Sequence, residues 1–239
     1  MQPENNLLGA LRPADRAILA PWLESVELAT GEVLYEVGDQ VERVYFPCGP
    51  ALVSFMVAFA DGKSAETALI GCEGAIGGIV SQGKLPAFAR SIVQHGGRFL
   101  RMPIARLAEA KAASPALAHL FARYADCVVA QIFQAVACNA THNIEHRLAR
   151  WLLATLDRTG QRDVPVTQER LAATLGVGRG YVTRVVTDLR AAGLVDTRRG
   201  GVAIVDPEAL GWRSCDCNAA IRRHFDLVLK GVYPDETGA

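Results

Sequence analysis

The run from Thr167 to Leu189 sets two arginines and several hydroxyl and amide side chains along the edge of a compact apolar pattern. Leu171, Leu175, Val182 and Val185 recur at helical spacing on both sides of Gly176, and Ala172 is small enough to let two helices approach. This predicts a short helix from Gln168 to Leu175 with Thr167 as its N-cap, a glycine turn, and a second helix beginning near Gly178. Arg179, Gly180, Tyr181, Thr183 and Arg184 then fall on the exposed start of the second helix, the part of a helix-turn-helix unit that enters a major groove. An arginine there can meet O6 and N7 of guanine with two parallel donors, worth about 1–3 kcal/mol of discrimination. Thr167 and Gln168, at the start of the first helix, complete the candidate contacts on that unit. Downstream, Leu194 to Val205 reads as two strands around a basic glycine turn, a wing whose Arg198 and Arg199 either approach phosphates or form a solvated pair.

Other chemistry is less well supported by the residues. His142-x-x-Glu145-His146 formally matches the inverted zincin pattern, but no third ligand is marked, so these read as polar residues of an interhelical joint and no metal ligand is assigned. Cys215-x-Cys217, with His224 beyond it, has the donors for a soft metal or a redox switch, but falling after the wing and away from any effector pocket it reads first as two structural cysteines. Cys48, Cys72, Cys127 and Cys138 stand singly in apolar contexts, which argues against a disulfide framework and for a reduced, cytoplasmic location. A Gly-x-Ser-x-Gly elbow and a Gly-Lys-Ser/Thr phosphate loop are both missing, and Gly176-Val177-Gly178-Arg179-Gly180 lacks dinucleotide-site spacing. No enzyme activity is expected, and no cofactor is evident.

The elements that must position these residues follow from the rest of the chain. Its 239 residues are 50% hydrophobic and 21% charged, too apolar for disorder and enough for two ordinary domains. The net charge of zero hides a division: residues 1–138 carry 11 basic and 13 acidic groups, 139–200 carry 10 arginines and 6 acids, and 201–239 carry 4 basic and 6 acidic groups. The basic segment is the one with the helix-turn-helix pattern, and its cations are all arginine, the side chain suited to paired contacts with phosphate or guanine. After a helical entry at Pro13 to Glu24, short β-branched and aromatic runs punctuated by glycine predict an antiparallel sandwich or barrel. Glu32–Tyr35, Val44–Phe46 and Leu52–Phe59 are such runs, the last followed by the turn pair Asp61-Gly62. Ser114-Pro115 then opens a long helix to about Cys138, with Leu117, Leu120, Tyr124, Cys127, Val128, Gln131 and Ala135 in one stripe. That stripe either lies on the chain's own β domain or pairs with a second subunit; subunit pairing is carried forward, with Gln131 as a register-setting polar position. A further helix is expected from His142 to Asp157, after a hinge near Asn139. The N-terminus does not read as a secretory signal, and the apolar runs are shorter than a membrane span requires, so no membrane partner is expected.

Taken together, these segments resemble the Crp/Fnr superfamily of bacterial transcription regulators over nearly the whole length. The helix-turn-helix and wing carry the resemblance in the C-terminal half. In the N-terminal half, Thr30 to Asp39 is similar to that family's first β-roll hairpin, Val44 to Pro47 to its next strand, and Gly71 to Gly77 to the glycine turn before its effector cassette. His142 to Leu152 is similar to the helix leading into the DNA-binding domain. The resemblance implies an α+β chain: a cyclic-nucleotide-binding-like β-roll at 1–110, a dimerisation helix at 111–138, a winged helix at 139–212 and a C-terminal helical tail at 213–239. It further implies a homodimer on a palindromic operator, with double-stranded DNA, a second copy of the chain and RNA polymerase as partners. The corresponding effector pocket falls on Gly74, Gly78, Ile79, Ala89, Arg90 and Ser91. Ile79 and Ala89 stand where cyclic-AMP-binding members carry a ribose-binding glutamate and a phosphate-binding arginine, and Arg90-Ser91 is one residue out of register, so the nucleotide site reads as degraded. The N-terminal cysteines of the oxygen-sensing members are missing before Cys48, and Gly180 replaces the glutamate common on the family's recognition helix. The readings from other classes are a protein-docking module without DNA and a metal- or redox-responsive regulator using Cys215 and Cys217.

Overall fold

The computed structural model describes residues 5–79 and 85–230. The chain opens with two short helices, α1 (Asn6–Gly9) and α2 (Pro13–Leu19), and a single 3-10 turn at Ala20–Trp22. The buried Asn5 caps α1 by accepting from Leu8 N, and its amide donates to the carbonyls of Pro47 (2.9 Å) and Gly74 (2.8 Å), which ties the N-terminus to the β domain.

Seven strands follow: β1 (Glu24–Leu28), β2 (Val33–Tyr35), β3 (Arg43–Pro47), β4 (Leu52–Ala58), β5 (Ser64–Ile70), β6 (Arg90–His95) and β7 (Gly97–Pro103). They form two antiparallel sheets, ordered β1-β7-β3 and β2-β6-β4-β5. Ala51, Val53, Ile70, Ile76, Val93 and Phe99 make an apolar core in this roll. The expected hairpin turn is present at Asp61-Gly62, where Lys63 N donates to Asp61 Oδ1 at 3.1 Å.

Helix α3 (Ile104–Ala113) leads to α4 (Pro115–Thr141), which begins as predicted with Ser114 Oγ accepting from Leu117 N at 3.2 Å. It runs one turn further than the sequence pattern suggested. His142 is its C-cap and Asn143 is the N-cap of α5 (Ile144–Thr159), so the joint lies at 142–143 rather than near Asn139. By length and composition α4 is apolar enough to cross a bilayer, in contrast to the run-length argument. The source of that apolarity is a buried face and a second, exposed apolar face on the same helix.

The C-terminal domain has its own core, built on Leu148, Trp151, Leu171, Val182, Val186 and Leu189. A three-stranded sheet ordered β8-β10-β9 comprises β8 (Asp163–Val164), β9 (Val195–Arg198) and β10 (Gly201–Ile204). Helices α6 (Gln168–Leu175) and α7 (Arg179–Ala191) lie between β8 and β9, and α8 (Pro207–Trp212) follows the sheet. The last described helix, α9 (Cys217–Leu229), is not a free tail. It returns to α4, placing Phe225 edge-on to Tyr124 with centroids 6.4 Å apart.

Candidate nucleic-acid interface

Helices α6 and α7 form the helix-turn-helix at the expected boundaries. Thr167 Oγ1 caps α6 by accepting from Arg170 N at 3.2 Å. Gly176 ends the helix with φ +68°, a left-handed conformation that costs glycine little. Leu171, Leu175, Val182 and Val185 are buried between the two helices and α5. With its apolar face so used, α7 leaves Arg179, Gly180, Tyr181, Thr183 and Arg184 on the surface.

These residues differ in how free they are to meet a ligand. Arg184 lies over the Tyr181 ring at 5.2 Å, a cation–π contact that preorganises both side chains at the solvent edge. Arg179 is held by Glu169 at 2.6 Å, but both are more than half exposed, so the pair is worth little and can be exchanged for phosphate or base contacts. Thr183 Oγ1 donates to Gln168 Oε1 at 2.7 Å, which links the two helices and commits both side chains to positioning one another. Gly180 has open space around its Cα. At the wing, Arg198 is near Asp196 and Asp163 at 3.8 and 4.0 Å, and Arg199 occupies the exposed turn between β9 and β10.

The whole reading head is set against the β-roll through a polar joint. Trp151 Nε1 donates to both carboxylate oxygens of Glu66 (3.0 and 3.2 Å), which also accepts from Ser54 Oγ. Burial pushes the Glu66 carboxyl above its ordinary pKa, against the lowering effect of those hydrogen bonds and of Arg150 and Arg158. Arg158 pairs with Glu73 at 2.8 Å with only 9% of its side chain exposed. Arg170 Nη2 donates to Val93 O at 3.2 Å, and Arg147 Nη2 donates to Leu175 O at 2.7 Å, at the C-terminus of α6.

The stripe assigned to subunit pairing requires correction. Leu117, Leu120, Tyr124, Cys127 and Gln131 are buried within the chain's own fold. Tyr124 Oη donates to Ala75 O (3.1 Å) and accepts from Ala75 N (3.0 Å), while Gln131 Nε2 donates to Leu69 O at 3.0 Å, so Gln131 sets the helix on the roll. Val128 and Ala135 are partly buried at its flank. The face that remains uncovered is a second stripe, Ala122, Val129, Ile132, Phe133 and Val136, with Phe133 70% and Val136 65% exposed. Its three- and four-residue spacing is present in the sequence beside the buried stripe.

The six residues aligned to an effector pocket have different surroundings. Gly74 lies beneath Tyr124, whose hydroxyl would overlap any Cβ there. A Cβ on Gly78 would press on Ile104, and Ile79 packs at the edge of the core beneath α4, its carbonyl accepting from Lys111 Nζ at 3.0 Å. Ala89 is partly buried, Ser91 is buried, and Arg90 points outward to pair with Glu36 at 3.1 Å. Arg90 and Ser91 thus face opposite sides of β6, as strand alternation requires.

The two metal patterns also resolve differently from the sequence. His142 and His146 are separated by the helix boundary, and Glu145 is taken by Arg213 at 2.8 Å, so the zincin pattern does not form a site. Instead Cys138, His142, Cys215 and Cys217 bring their donor atoms within 4.8 Å of one another; His224 is not in this group. Cys138 and His142 stand four residues apart, but the two thiols that complete the group lie more than seventy residues away.

Residues 146–211 match the Crp-like helix-turn-helix domain. No curated protein sequence matches the chain. Among solved structures, a transcriptional regulator of the Crp/Fnr family from Eubacterium rectale superposes with a TM-score of 0.66 at 16% identity, covering 88% of this chain and 98% of the other. FixK2 from Bradyrhizobium japonicum gives 0.67 at 14% identity, with 81% and 98% covered. A CRP-family transcriptional regulator from Thermus thermophilus gives 0.67 at 21% identity, with 79% and 96% covered. Residues 146–211 therefore belong to the Crp-like helix-turn-helix domains, and the chain carries them on the fold of the Crp/Fnr family regulators.

Proposed function

We propose that the chain is a sequence-specific DNA-binding transcription regulator, acting as a homodimer on a two-fold symmetric operator. The observation that carries this reading is the exposed start of α7, where Arg179, Tyr181 and Arg184 project from a helix whose other face is fully used in the domain core. Arg184 reads guanine, and Arg198 and Arg199 supply phosphate contacts from the wing. Thr167 caps α6 and Thr183 bonds Gln168, so these residues brace the two helices, while the amide N–H donors of Gln168 are not used in that bond.

The exposed α4 stripe through Val129, Ile132, Phe133 and Val136 pairs the subunits, because a contiguous apolar face of this spacing suits a parallel helix pair. Two-fold symmetry then sets half-sites about one helical turn, roughly 34 Å, apart or a multiple of that. The β-roll does not take a cyclic nucleotide by a glutamate and arginine pair, as Ile79 and Ala89 occupy those positions and Arg90 points out to Glu36. The protein works in a reducing cytoplasm, which suits its six free cysteines, and an operator-bound dimer would present the surface for RNA polymerase.

The test is selection from random duplex DNA by the purified full chain, repeated with Arg179→Ala and Arg184→Ala. Enrichment of a two-fold symmetric motif that loses preference at defined bases with Arg184→Ala is expected. Binding should also weaken steeply with salt through counterion release. Equal base preference in wild type and Arg184→Ala would remove Arg184 from the reading role, and no enrichment at all would overturn sequence-specific DNA binding by the free protein.

A further inference from the structure

The end of α4, the joint that follows it and the start of α9 converge on four soft donors. Cys138 lies in the last turn of α4 and His142 is its C-cap, while Cys215 precedes α9 and Cys217 is its first residue. All four donor atoms lie within 4.8 Å of one another, with Cys138 Sγ 3.6 Å from Cys215 Sγ and Cys217 Sγ 3.6 Å from His142 Nδ1. A tetrahedral zinc ion, with Zn–S near 2.3 Å and Zn–N near 2.0–2.1 Å, requires about 3.8 Å between thiolates and about 3.6 Å from thiolate to imidazole nitrogen. These two pairs have that spacing, and since no pair of the four donors exceeds 4.8 Å, closing on one such ion takes a contraction of no more than about 1 Å in any other pair. A multi-iron cluster, with one protein ligand on each iron, would spread them further apart.

The surroundings support a charged centre. Three thiolates and a neutral imidazole around Zn²⁺ leave a net negative charge, and Arg147 and Arg150 face it electrostatically from α5. The Nε atoms of both arginines are buried with no hydrogen-bond partner among the described residues. Gln134 Nε2 donates to Cys217 Sγ at 3.2 Å, the kind of outer contact that holds a ligating thiolate in place. All four ligands being soft or borderline, the set selects zinc over calcium or magnesium.

We propose that Cys138, His142, Cys215 and Cys217 form a four-coordinate Cys3His zinc site that fastens α9 to the joint between α4 and the DNA-binding domain. On binding, the three thiols release their protons to solvent and the imidazole coordinates in its neutral form through Nδ1. No open coordination position remains, so the site is structural or regulatory rather than hydrolytic. Because His142 is the link between α4 and α5, the ion fixes the direction in which α5 leaves α4. This inference stands apart from the DNA-binding reading.

The experiment titrates the full-length, chelator-stripped, reduced protein with Co²⁺ under anaerobic conditions and then with Zn²⁺. One Co²⁺ per chain, with thiolate-to-metal charge transfer and the intense visible bands of tetrahedral cobalt, is expected, and zinc should displace it. Zn²⁺ should also raise the thermal midpoint of the wild type. His142→Gln and Cys215→Ser should each weaken the metal by more than the roughly 10–100-fold that loss of an outer-shell contact costs, with folding checked by circular dichroism. Cys72→Ser, outside the group, should leave binding unchanged. His142→Cys, which keeps a soft donor, should retain a tetrahedral spectrum shifted toward an all-thiolate centre. Octahedral cobalt, a spectrum unchanged in Cys215→Ser, or assembly of a multi-iron chromophore on these residues in place of the tetrahedral ion would overturn the proposal.

Discussion

Glu66 couples protonation to the joint between the β-roll and the reading head. Burial raises its folded pKa above the ordinary 4.5, outweighing the hydrogen bonds from Ser54 and Trp151 and the charges of Arg150 and Arg158. The folded chain therefore holds this proton more tightly than the unfolded chain, and stability must fall as pH rises. The favourable contribution is fully present below the unfolded value near 4.5 and is lost as pH climbs through the raised folded value. One proton sets the limit: at its steepest the loss is about 1.4 kcal/mol per pH unit. Glu66→Gln removes the titration but keeps an amide oxygen to accept from Trp151 Nε1 and an amide N–H to donate to Ser54 Oγ. The assay is urea unfolding of both proteins from about pH 5 to 8, taking wild type minus variant so that other titrating groups cancel. That difference should decline with pH, with a slope no greater than the one-proton limit. Trp151 fluorescence should follow the same transition in a background where the exposed Trp22 and Trp212 are phenylalanine. A flat difference, or one that rises with pH, would refute the assignment of a raised pKa to the buried carboxyl.

Three further outcomes test other parts of the structure. Tyr124→Phe strands the N–H and C=O of Ala75 in a buried site, so it should cost about 1–3 kcal/mol per orphaned group in urea unfolding; a loss under about 0.5 kcal/mol would mean the pair finds other partners. Phe133→Glu combined with Val136→Glu places charge on the exposed α4 stripe and should convert the dimer to a folded monomer by light scattering, whereas an intact dimer would move the interface elsewhere. Calorimetric titration with cyclic AMP and cyclic GMP should give no heat of binding, and micromolar affinity would show that the roll binds nucleotides by another set of contacts.

What was legible in the sequence follows the range of the interactions. Thr167, Gly176 and Ser114 act within three or four residues of themselves, so the boundaries of α6 and the start of α4 could be read directly. The strand runs and the Asp61-Gly62 turn were equally local. The α4 stripe was a different problem, since the helix has two apolar faces and periodicity cannot say which one a neighbouring subunit takes. The choice was decided by Ala75 and Leu69, whose backbone groups Tyr124 and Gln131 satisfy across more than forty residues. The same distance hid the cysteine and histidine group. Cys215-x-Cys217 was visible, but Cys138 looked like one more apolar cysteine until α9 folded back on α4. Arg90 was the reverse case: its neighbour Ser91 invited a one-residue slip, and the alternation of β6 sends it to the outer face.

The division of apolar and polar contacts argues for where movement is allowed. The C-terminal core of Trp151, Leu171, Val186 and Leu189 is complete without any residue of the roll, and the roll with the N-terminal helices, α3, α4 and α9 likewise closes over its own side chains. Between them the buried apolar contact is Leu52 and Leu69 against Ala154, and the polar contacts across the joint include Glu66 with Trp151, Glu73 with Arg158, Arg170 with Val93 and His95 with Gln161. Opening this joint leaves both cores intact, but it must rehydrate Glu66, Glu73 and Arg158, and water can supply those hydrogen bonds. On the proposed reading, two α7 helices must present themselves about 34 Å apart to a duplex, and the direction of α5 at His142 decides whether they do. A ligand acts on such a joint only through a difference in affinity between its two positions. The proposed zinc site could provide that difference if it holds its ion in only one position of the joint, since its donors come from the end of α4, the 142–143 link and the start of α9.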